Sequence, residues 1–114
     1  MYYIVLITFA NNKLRKWAND YKKSRKEQGE KRAKLYQKRL NDLQSAASLA
    51  DVKNLPGGYH ELVADRKGQW ACDLDQPYRL IFEPIEDPID SNKKFIWSEI
   101  KGVKILLITN YHGK

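Results

Sequence analysis

The run Leu55-Pro56-Gly57-Gly58 divides this sequence into two parts with different patterns. Proline interrupts helices and central strands, and glycine adopts backbone conformations that other residues rarely reach. Before the run, apolar residues recur at intervals of three and four, apart from an apolar segment at Tyr2–Phe9. After it, short apolar runs alternate with turn residues. The break therefore predicts a helical region followed by a set of strands, in an α+β fold.

The helical part is predicted to be a hairpin. Its helices are expected over Lys13–Gln28 and from about Lys31 to Ala47, with Gly29 as the stop between them. The second helix carries an apolar stripe formed by Ala33, Tyr36, Leu40, Leu43 and Ala47. This stripe is expected to pack on the first helix and on a sheet. Tyr2–Phe9, rich in β-branched and aromatic residues, is predicted to be a strand buried on both faces.

The second part is predicted to be an antiparallel meander, because its strands are joined by short turns. Strands are expected at Tyr59–Val63, Gln69–Leu74, Tyr78–Glu83 and Val103–Thr109, with a surface loop at Pro84–Lys93 and a short extension at Phe95–Trp97. A chain of 114 residues is too short for two independent cores. Residues 1–114 are therefore expected to form one domain.

Several classes of protein are disfavoured by composition. The single cysteine, Cys72, excludes an internal disulfide and a CxxC metal site, and two histidines are too few for a structural zinc site. Neither a metal nor another cofactor is expected. The apolar run Ile4–Ile7 is too short to span a bilayer. No membrane association is expected, and the predicted compartment is the cytoplasm.

Positive charge is concentrated in the helical part. The chain has a net charge of +7, and residues 11–44 hold twelve Lys or Arg but four Asp or Glu, a net charge of +8. Such a segment fits a polyanion, most simply nucleic acid, or an acidic protein partner. A solvated helical surface that serves only solubility is the alternative.

Three side chains are candidates for chemistry. His60 follows the glycine pair and His112 follows the last predicted strand, and a sheet can bring such distant positions into one groove. Either histidine alone would more often be a surface residue. Arg79 lies within an apolar strand and is predicted either to clamp a phosphate or to pair with Asp73 or Glu83. Arg66 and Lys67 form a basic turn, and the alternative is an ordinary turn.

These residues lie within motifs that resemble the HigB-type killer toxins, members of the RelE/ParE superfamily of bacterial type II toxin–antitoxin systems. The motifs are Leu55-Pro56-Gly57, His60-Glu61-Leu62, Asp65-Arg66-Lys67-Gly68-Gln69, Pro77-Tyr78-Arg79-Leu80-Ile81-Phe82-Glu83-Pro84 and Asn110-Tyr111-His112. The similarity extends over nearly the whole chain, and the combination of motifs is more specific than any one of them.

The resemblance implies a small α+β protein with two helices against an antiparallel sheet. It also implies a toxin that cleaves messenger RNA in the ribosomal A site without metal. The expected partners are the ribosome, messenger RNA and a helix-turn-helix, HigA-like antitoxin, with operator DNA bound only through the antitoxin complex. By position, His60 matches an active-site histidine, Arg79 matches the arginine that contacts the scissile phosphate, and Tyr111 and His112 match the terminal catalytic pair.

The sequence departs from the family pattern at two positions. Val63 replaces a lysine and Asn110 replaces an acid, and Lys67 or Arg66 is the candidate for the missing positive charge. The residues expected to contact RNA are Lys22, Lys23, Arg25, Lys26, Arg66 and Lys67. Two alternatives stay open: a non-enzymatic, ParE-like inhibitor of DNA gyrase, and a catalytically weakened homologue that binds nucleic acid or the antitoxin.

Overall fold

The structure is a computed structural model that describes residues 5–85 and 102–110. Its elements are β1 (Leu6–Phe9), α1 (Asn12–Asn19), α2 (Tyr21–Gln28), α3 (Glu30–Ser45), α4 (Leu49–Val52), β2 (His60–Glu61), a 3-10 turn (Ala64–Arg66), β3 (Trp70–Asp73), β4 (Tyr78–Pro84) and β5 (Gly102–Asn110). The α+β class is confirmed. Among these described elements, no helix combines the length and apolarity needed to cross a bilayer.

The sheet is mixed and not purely antiparallel, which corrects the prediction. Its strand order is β1-β5-β4-β3-β2. The strands β2 to β5 form the predicted antiparallel meander, whereas β1 pairs with β5 in the parallel direction. The helices connect β1 to the rest of the sheet, and a connection of this kind does not impose the antiparallel direction as a hairpin does.

The prediction that β1 is buried on both faces is wrong. This strand lies at an edge of the sheet, where Leu6 is 60% exposed. Ile7 and Phe9 pack against the core from the other face. An apolar sequence without strict alternation therefore does not distinguish a central strand from an edge strand. The predicted residues Tyr2–Ile4 lie outside the described residues.

Helix ends follow the capping chemistry of the sequence. The predicted helix over Lys13–Gln28 is divided at Asp20, whose side chain accepts a hydrogen bond from the backbone of Lys23 and so begins α2. Asn11 caps α1 in the same way. Gly29, with φ of 90°, separates α2 from α3. The helical region thus contains an extra break that the apolar spacing did not indicate.

The core lies between the helices and one face of the sheet. From the predicted stripe of α3, Ala33, Tyr36, Leu40 and Leu43 are buried, but Ala47 is exposed and Ala46 is buried in its place. The reason is that α3 ends at Ser45, so the helical spacing no longer applies. The buried Tyr36 hydroxyl donates to the Leu14 carbonyl at 2.8 Å, which ties α3 to α1.

The strand β5 contains a bulge. Ile81 pairs with Leu107 and Phe82 pairs with Ile105, so Leu106 is an extra residue on β5. The bulge shifts the alternation of side chains, and Ile108 packs against the core while Thr109 pairs with Arg79. The bounds of β5 otherwise agree with the predicted strand at Val103–Thr109. The predicted loop at Pro84–Lys93 begins within β4 and lies outside the described residues after Ile85, as does Phe95–Trp97.

The strand predicted at Tyr59–Val63 is reduced to His60–Glu61. Tyr59 precedes the strand and is buried, while Val63 is 79% exposed just before the 3-10 turn. The turn begins at Ala64, which has φ of 58°, so the chain leaves the sheet earlier than its apolar residues suggested. The short β2 is the edge of the sheet opposite β1.

An arginine on α3 connects the helices to the turn between β3 and β4. Arg32 donates two hydrogen bonds to Asp75, at 2.9 and 3.1 Å, and its guanidinium stacks on the Tyr78 ring at 3.5 Å. The paired geometry favours the ionised carboxylate, so the Arg32 hydrogen bonds lower the pKa of Asp75 below its ordinary value.

Replacing Asp75 with asparagine is expected to reduce the free energy of unfolding by about 1 to 2 kcal/mol at neutral pH. Because the pKa is lowered in the folded state, this contribution is complete above the unfolded-state pKa of about 4 and is lost as pH falls below it. Urea titrations at several pH values measure the difference from wild type. As a control, Glu30→Gln removes an exposed ion pair with Lys34 and is expected to change stability by less than about 0.5 kcal/mol. If the difference in free energy of unfolding between wild type and Asp75→Asn stayed constant down to pH 2, the ionised Asp75 carboxylate would not be its source.

The single thiol lies in the core. Cys72 is fully buried on β3, and burial raises its pKa to about 12. We expect the native protein to react with a thiol reagent only as fast as the chain unfolds, because the thiolate is the reactive form. Absorbance measurement of the released thiol, with and without denaturant, tests this. Labelling of native protein as fast as urea-unfolded protein would refute it.

Candidate functional site

Three polar side chains of β2, β3 and β4 lie close together on the outer face of the sheet, which is the face opposite the described helices. Trp70 and Cys72 of β3 are in the core, and side chains alternate along a strand, so Ala71 and Asp73 lie on the outer face. His60 pairs with Ala71, and Arg79 pairs with Asp73. Paired residues share a face in an antiparallel sheet, so His60, Asp73 and Arg79 are all on this outer face.

The strand register sets the spacing within this group. Asp73 lies directly opposite Arg79, and His60 is its diagonal neighbour at about 7 to 8 Å between Cα atoms. His60 and Arg79 are two strands apart and offset by two residues, which corresponds to about 12 Å between Cα atoms. Two side chains of this length can approach one phosphodiester group from its two sides.

His60 has a defined tautomer in its neutral form. Its side chain is exposed, and Nδ1 lies 2.7 Å from the carbonyl oxygen of Gly58. Because a carbonyl oxygen only accepts hydrogen bonds, Nδ1 carries the proton and donates it. The lone pair is then on Nε2, which gives His60 the form that a general base requires.

Arg79 pairs with an acid, as one of the interpretations of the sequence had it. Its Nη1 atom lies 3.7 Å from Oδ1 of Asp73, with the two side chains 26% and 35% exposed. The separation is longer than the 2.7–2.9 Å of a charge-assisted hydrogen bond. The pair is therefore loose and partly open to solvent.

The backbone of Asp73 is held from the helical side by a residue that the sequence did not single out. Arg39 of α3 is only 9% exposed and donates from Nε to the Asp73 carbonyl at 2.7 Å. The Asp73 amide donates to the carbonyl of Gly57 at 2.8 Å, and the Tyr59 hydroxyl donates to the carbonyl of Arg39. Arg39 lies three residues after Tyr36, and this spacing on the buried side of α3 was the available signal.

Gly57 and Gly58 lie where the side chains of Arg39 and Asp73 come close to the backbone, and this close approach requires glycine. At Gly57, with φ of 120°, an added Cβ would lie 2.7 Å from the Arg39 Nε. At Gly58, with φ of 67°, it would lie 2.6 Å from Oδ2 of Asp73. At both positions φ is positive, and the space that a Cβ atom would need is already filled by a neighbouring side chain. The glycine pair thus lets Arg39 and Asp73 lie against the segment that leads into His60.

Arg66 shares a cavity with His60. Residues 60–66 surround a space of about 390 Å³ at the β2 edge. Arg66 donates from Nη1 to Oε1 of Gln69, and the neighbouring Lys67 is exposed. Val63, where the resembling family has a lysine, is 79% exposed beside them. The structure therefore brings Arg66, a candidate for the missing charge, to the same edge as His60.

The cations of α2 lie elsewhere. Lys22, Arg25 and Lys26 are exposed, and Lys23 is half-buried with its Nζ 4.0 Å from Glu27. Since α2 packs with α1 and α3, these residues are in the helical layer and not on the outer face. The structure thus does not bring them together with His60 and Arg79. They form a separate basic surface.

Two predicted site residues, Tyr111 and His112, lie outside the described residues. The described part of β5 ends at the exposed Asn110, which pairs with Tyr78, one residue before Arg79. Within residues 5–85 and 102–110 there is no cluster of three or more His, Cys, Asp or Glu side chains that could hold a metal ion.

Comparisons of the chain with protein-family models, with curated proteins and with solved structures found no match. The function is therefore inferred from the chemistry of the residues described above and from the resemblance of the sequence motifs.

Proposed function

We propose that this protein is the toxin of a type II toxin–antitoxin system, a HigB-type endoribonuclease that cleaves messenger RNA on the ribosome. The observation that carries the proposal is the presence of His60 and Arg79 on one face of the sheet, opposite the helices that the structure describes. His60 supplies an imidazole with an available lone pair, and Arg79 supplies a guanidinium whose geometry matches phosphate oxygens.

In the proposed reaction, Nε2 of His60 removes the proton from a ribose 2′-hydroxyl. The 2′-oxygen attacks the adjacent phosphorus, and the bond from phosphorus to the 5′-oxygen breaks. His112 gives a proton to the departing 5′-oxygen. The products are a 2′,3′-cyclic phosphate and a 5′-hydroxyl end. Each proton transfer typically contributes about 10²- to 10⁴-fold to the rate.

Arg79 stabilises the negative charge that develops on the phosphorane, and Tyr111 orients the 2′-hydroxyl or stacks on a splayed base. None of these steps calls for a metal. The ribosome contributes by holding the messenger in a reactive geometry, which reduces what the protein itself has to supply.

The basic surface formed by Lys22, Lys23, Arg25 and Lys26 is proposed to bind ribosomal RNA, at a distance from the reacting phosphate. Binding through this surface is expected to weaken steeply with salt, because it releases counterions. Arg66 and Lys67 are proposed to contact the messenger beside His60. A HigA-like antitoxin is the proposed neutralising partner, and the cytoplasm is the proposed compartment.

A weakened, antitoxin-binding homologue is the second candidate. Two observations favour it: the exposed Val63 at the position of the family lysine, and the Asp73 carboxylate beside Arg79. Both reduce the positive charge available to a phosphate. Growth and messenger cleavage distinguish this candidate from an active enzyme.

The experiment is controlled expression of wild type, Arg79→Ala and His112→Ala in bacteria, with growth measured and messenger 5′ ends mapped. We expect growth arrest with codon-phased cuts that carry 5′-hydroxyl ends in wild type, and neither effect in the variants. Arrest with intact messenger and inhibited gyrase would replace the nuclease with a ParE-like inhibitor. An absence of arrest at equal protein levels would favour the weakened homologue.

A further inference from the structure

We propose that Asp73 controls the anion affinity of the outer face: its carboxylate pairs with Arg79 in the free protein, and an RNA phosphate must displace it to bind. This inference rests on the proposed function, since it concerns the phosphate that Arg79 contacts. It assigns a specificity-determining role to a residue that the sequence presented only as a structural partner of Arg79.

The first observation is that the backbone that carries the Asp73 carboxylate is held by groups other than Arg79. The backbone of Asp73 is fixed on both sides, by the Arg39 Nε at its carbonyl and by the Gly57 carbonyl at its amide. Its Oδ2 lies over Gly58, in space that only a glycine leaves open. The negative charge is therefore a built-in part of this corner of the sheet.

The second observation is that the pair itself is weak. The atoms Nη1 of Arg79 and Oδ1 of Asp73 are 3.7 Å apart, and both side chains are partly exposed. The separation exceeds that of a direct charge-assisted hydrogen bond, so this contact is expected to contribute little to stability. A phosphate oxygen that forms direct hydrogen bonds with the guanidinium would therefore replace the Asp73 contact without a large loss to the fold.

The consequence is selection among anions. The carboxylate repels any anion that approaches Arg79, so a single small anion binds poorly. A nucleic acid strand brings further phosphates that can contact other cations, such as Arg66 beside His60, and these contacts offset the repulsion. Because of Asp73, an anion binds Arg79 well only when it belongs to a strand with several phosphates, and a single phosphate binds poorly.

The test compares Asp73→Asn with wild type in the binding of a short, fluorescently labelled single-stranded RNA, measured by anisotropy, and of inorganic phosphate, measured by NMR. The substitution is isosteric and removes one charge. We expect tighter binding of both probes, by about three- to tenfold, with the larger gain for inorganic phosphate. Asp51→Asn, an exposed carboxylate on α4, removes the same charge away from the sheet and is the matched control.

A double-mutant cycle with Arg79→Gln identifies the site of the gain. We expect Asp73→Asn to have no effect on affinity once Arg79 is replaced. Lower or unchanged affinity in Asp73→Asn, with Arg79→Gln still weakening wild-type binding, would overturn the role of Asp73 and leave the proposed function standing. Wild-type binding that Arg79→Gln does not weaken would overturn both. A damaged fold does not strengthen binding, so a gain in affinity excludes a merely structural role.

Discussion

Replacing Arg79 with alanine is expected to lower the rate of the proposed ribosome-dependent messenger cleavage by about 10²- to 10³-fold, which is the usual cost of removing a group that stabilises transition-state charge. Arg79 is the cation of β4 on the outer face, directly opposite Asp73, and no catalytic metal is proposed to share its role. The measurement is single-turnover cleavage on programmed ribosomes at saturating protein, so that the rate reports chemistry and not binding.

Two further variants separate charge from geometry. Arg79→Lys keeps the positive charge but loses the planar fork, and we expect it to recover only part of the rate. Arg25→Ala removes an equal charge from α2, and we expect it to weaken ribosome binding and its salt dependence while the saturated rate is unchanged. A saturated rate in Arg79→Ala within twofold of wild type would refute a catalytic role for this side chain.

Replacing Trp70 with alanine is expected to reduce the free energy of unfolding by about 3 to 5 kcal/mol. Trp70 is fully buried on β3 and stacks with Phe82 on β4, with ring centroids 6.2 Å apart and an angle of 25° between the rings. Domains of this size are stable by only about 5 to 15 kcal/mol. Urea unfolding followed by circular dichroism is expected to show a large fall in the transition midpoint.

Trp17 offers a matched control for this substitution. It is half-buried at the edge of the core, and its Nε1 donates to Glu27. Trp17→Ala removes the same side chain from a more open place, and we expect a smaller loss of about 1 to 2 kcal/mol. Equal losses at the two positions would show that burial does not determine the energy of these tryptophans.

The sequence predicted the elements better than their arrangement. The meander from β2 to β5 and the helix stop at Gly29 depend on turn residues and helix-breaking residues, and they could be predicted. The direction of β1 and its place at the edge depend on pairing with β5, more than ninety residues away, and no local pattern encodes such a pairing. Asp20, which separates α1 from α2, is a residue type that caps helices, but the helical spacing of apolar residues continues across it and predicted a single helix.

For the candidate site, residue types were easier to predict than contacts. His60 and Arg79 were recognisable as chemistry-bearing residues, and Asp73 was one of two acids that could pair with Arg79. The role of Arg39 was not predictable, because its hydrogen bond to the Asp73 carbonyl forms only when α3 lies over the end of β3. The separation of the α2 cations from the outer face also depends on the layering and not on the sequence pattern.

The extra residue in β5 determines which of the following side chains, such as Ile108 and Thr109, face the core. Strand side chains alternate between the two faces, so the number of residues up to this point decides which face each residue after Leu106 occupies. Removing one residue there would move Ile108 to the outer face and Thr109 to the core face, so an apolar side chain would leave the core and a hydroxyl would enter it. The strand β5 is therefore expected to tolerate substitutions at this point far better than a change in length.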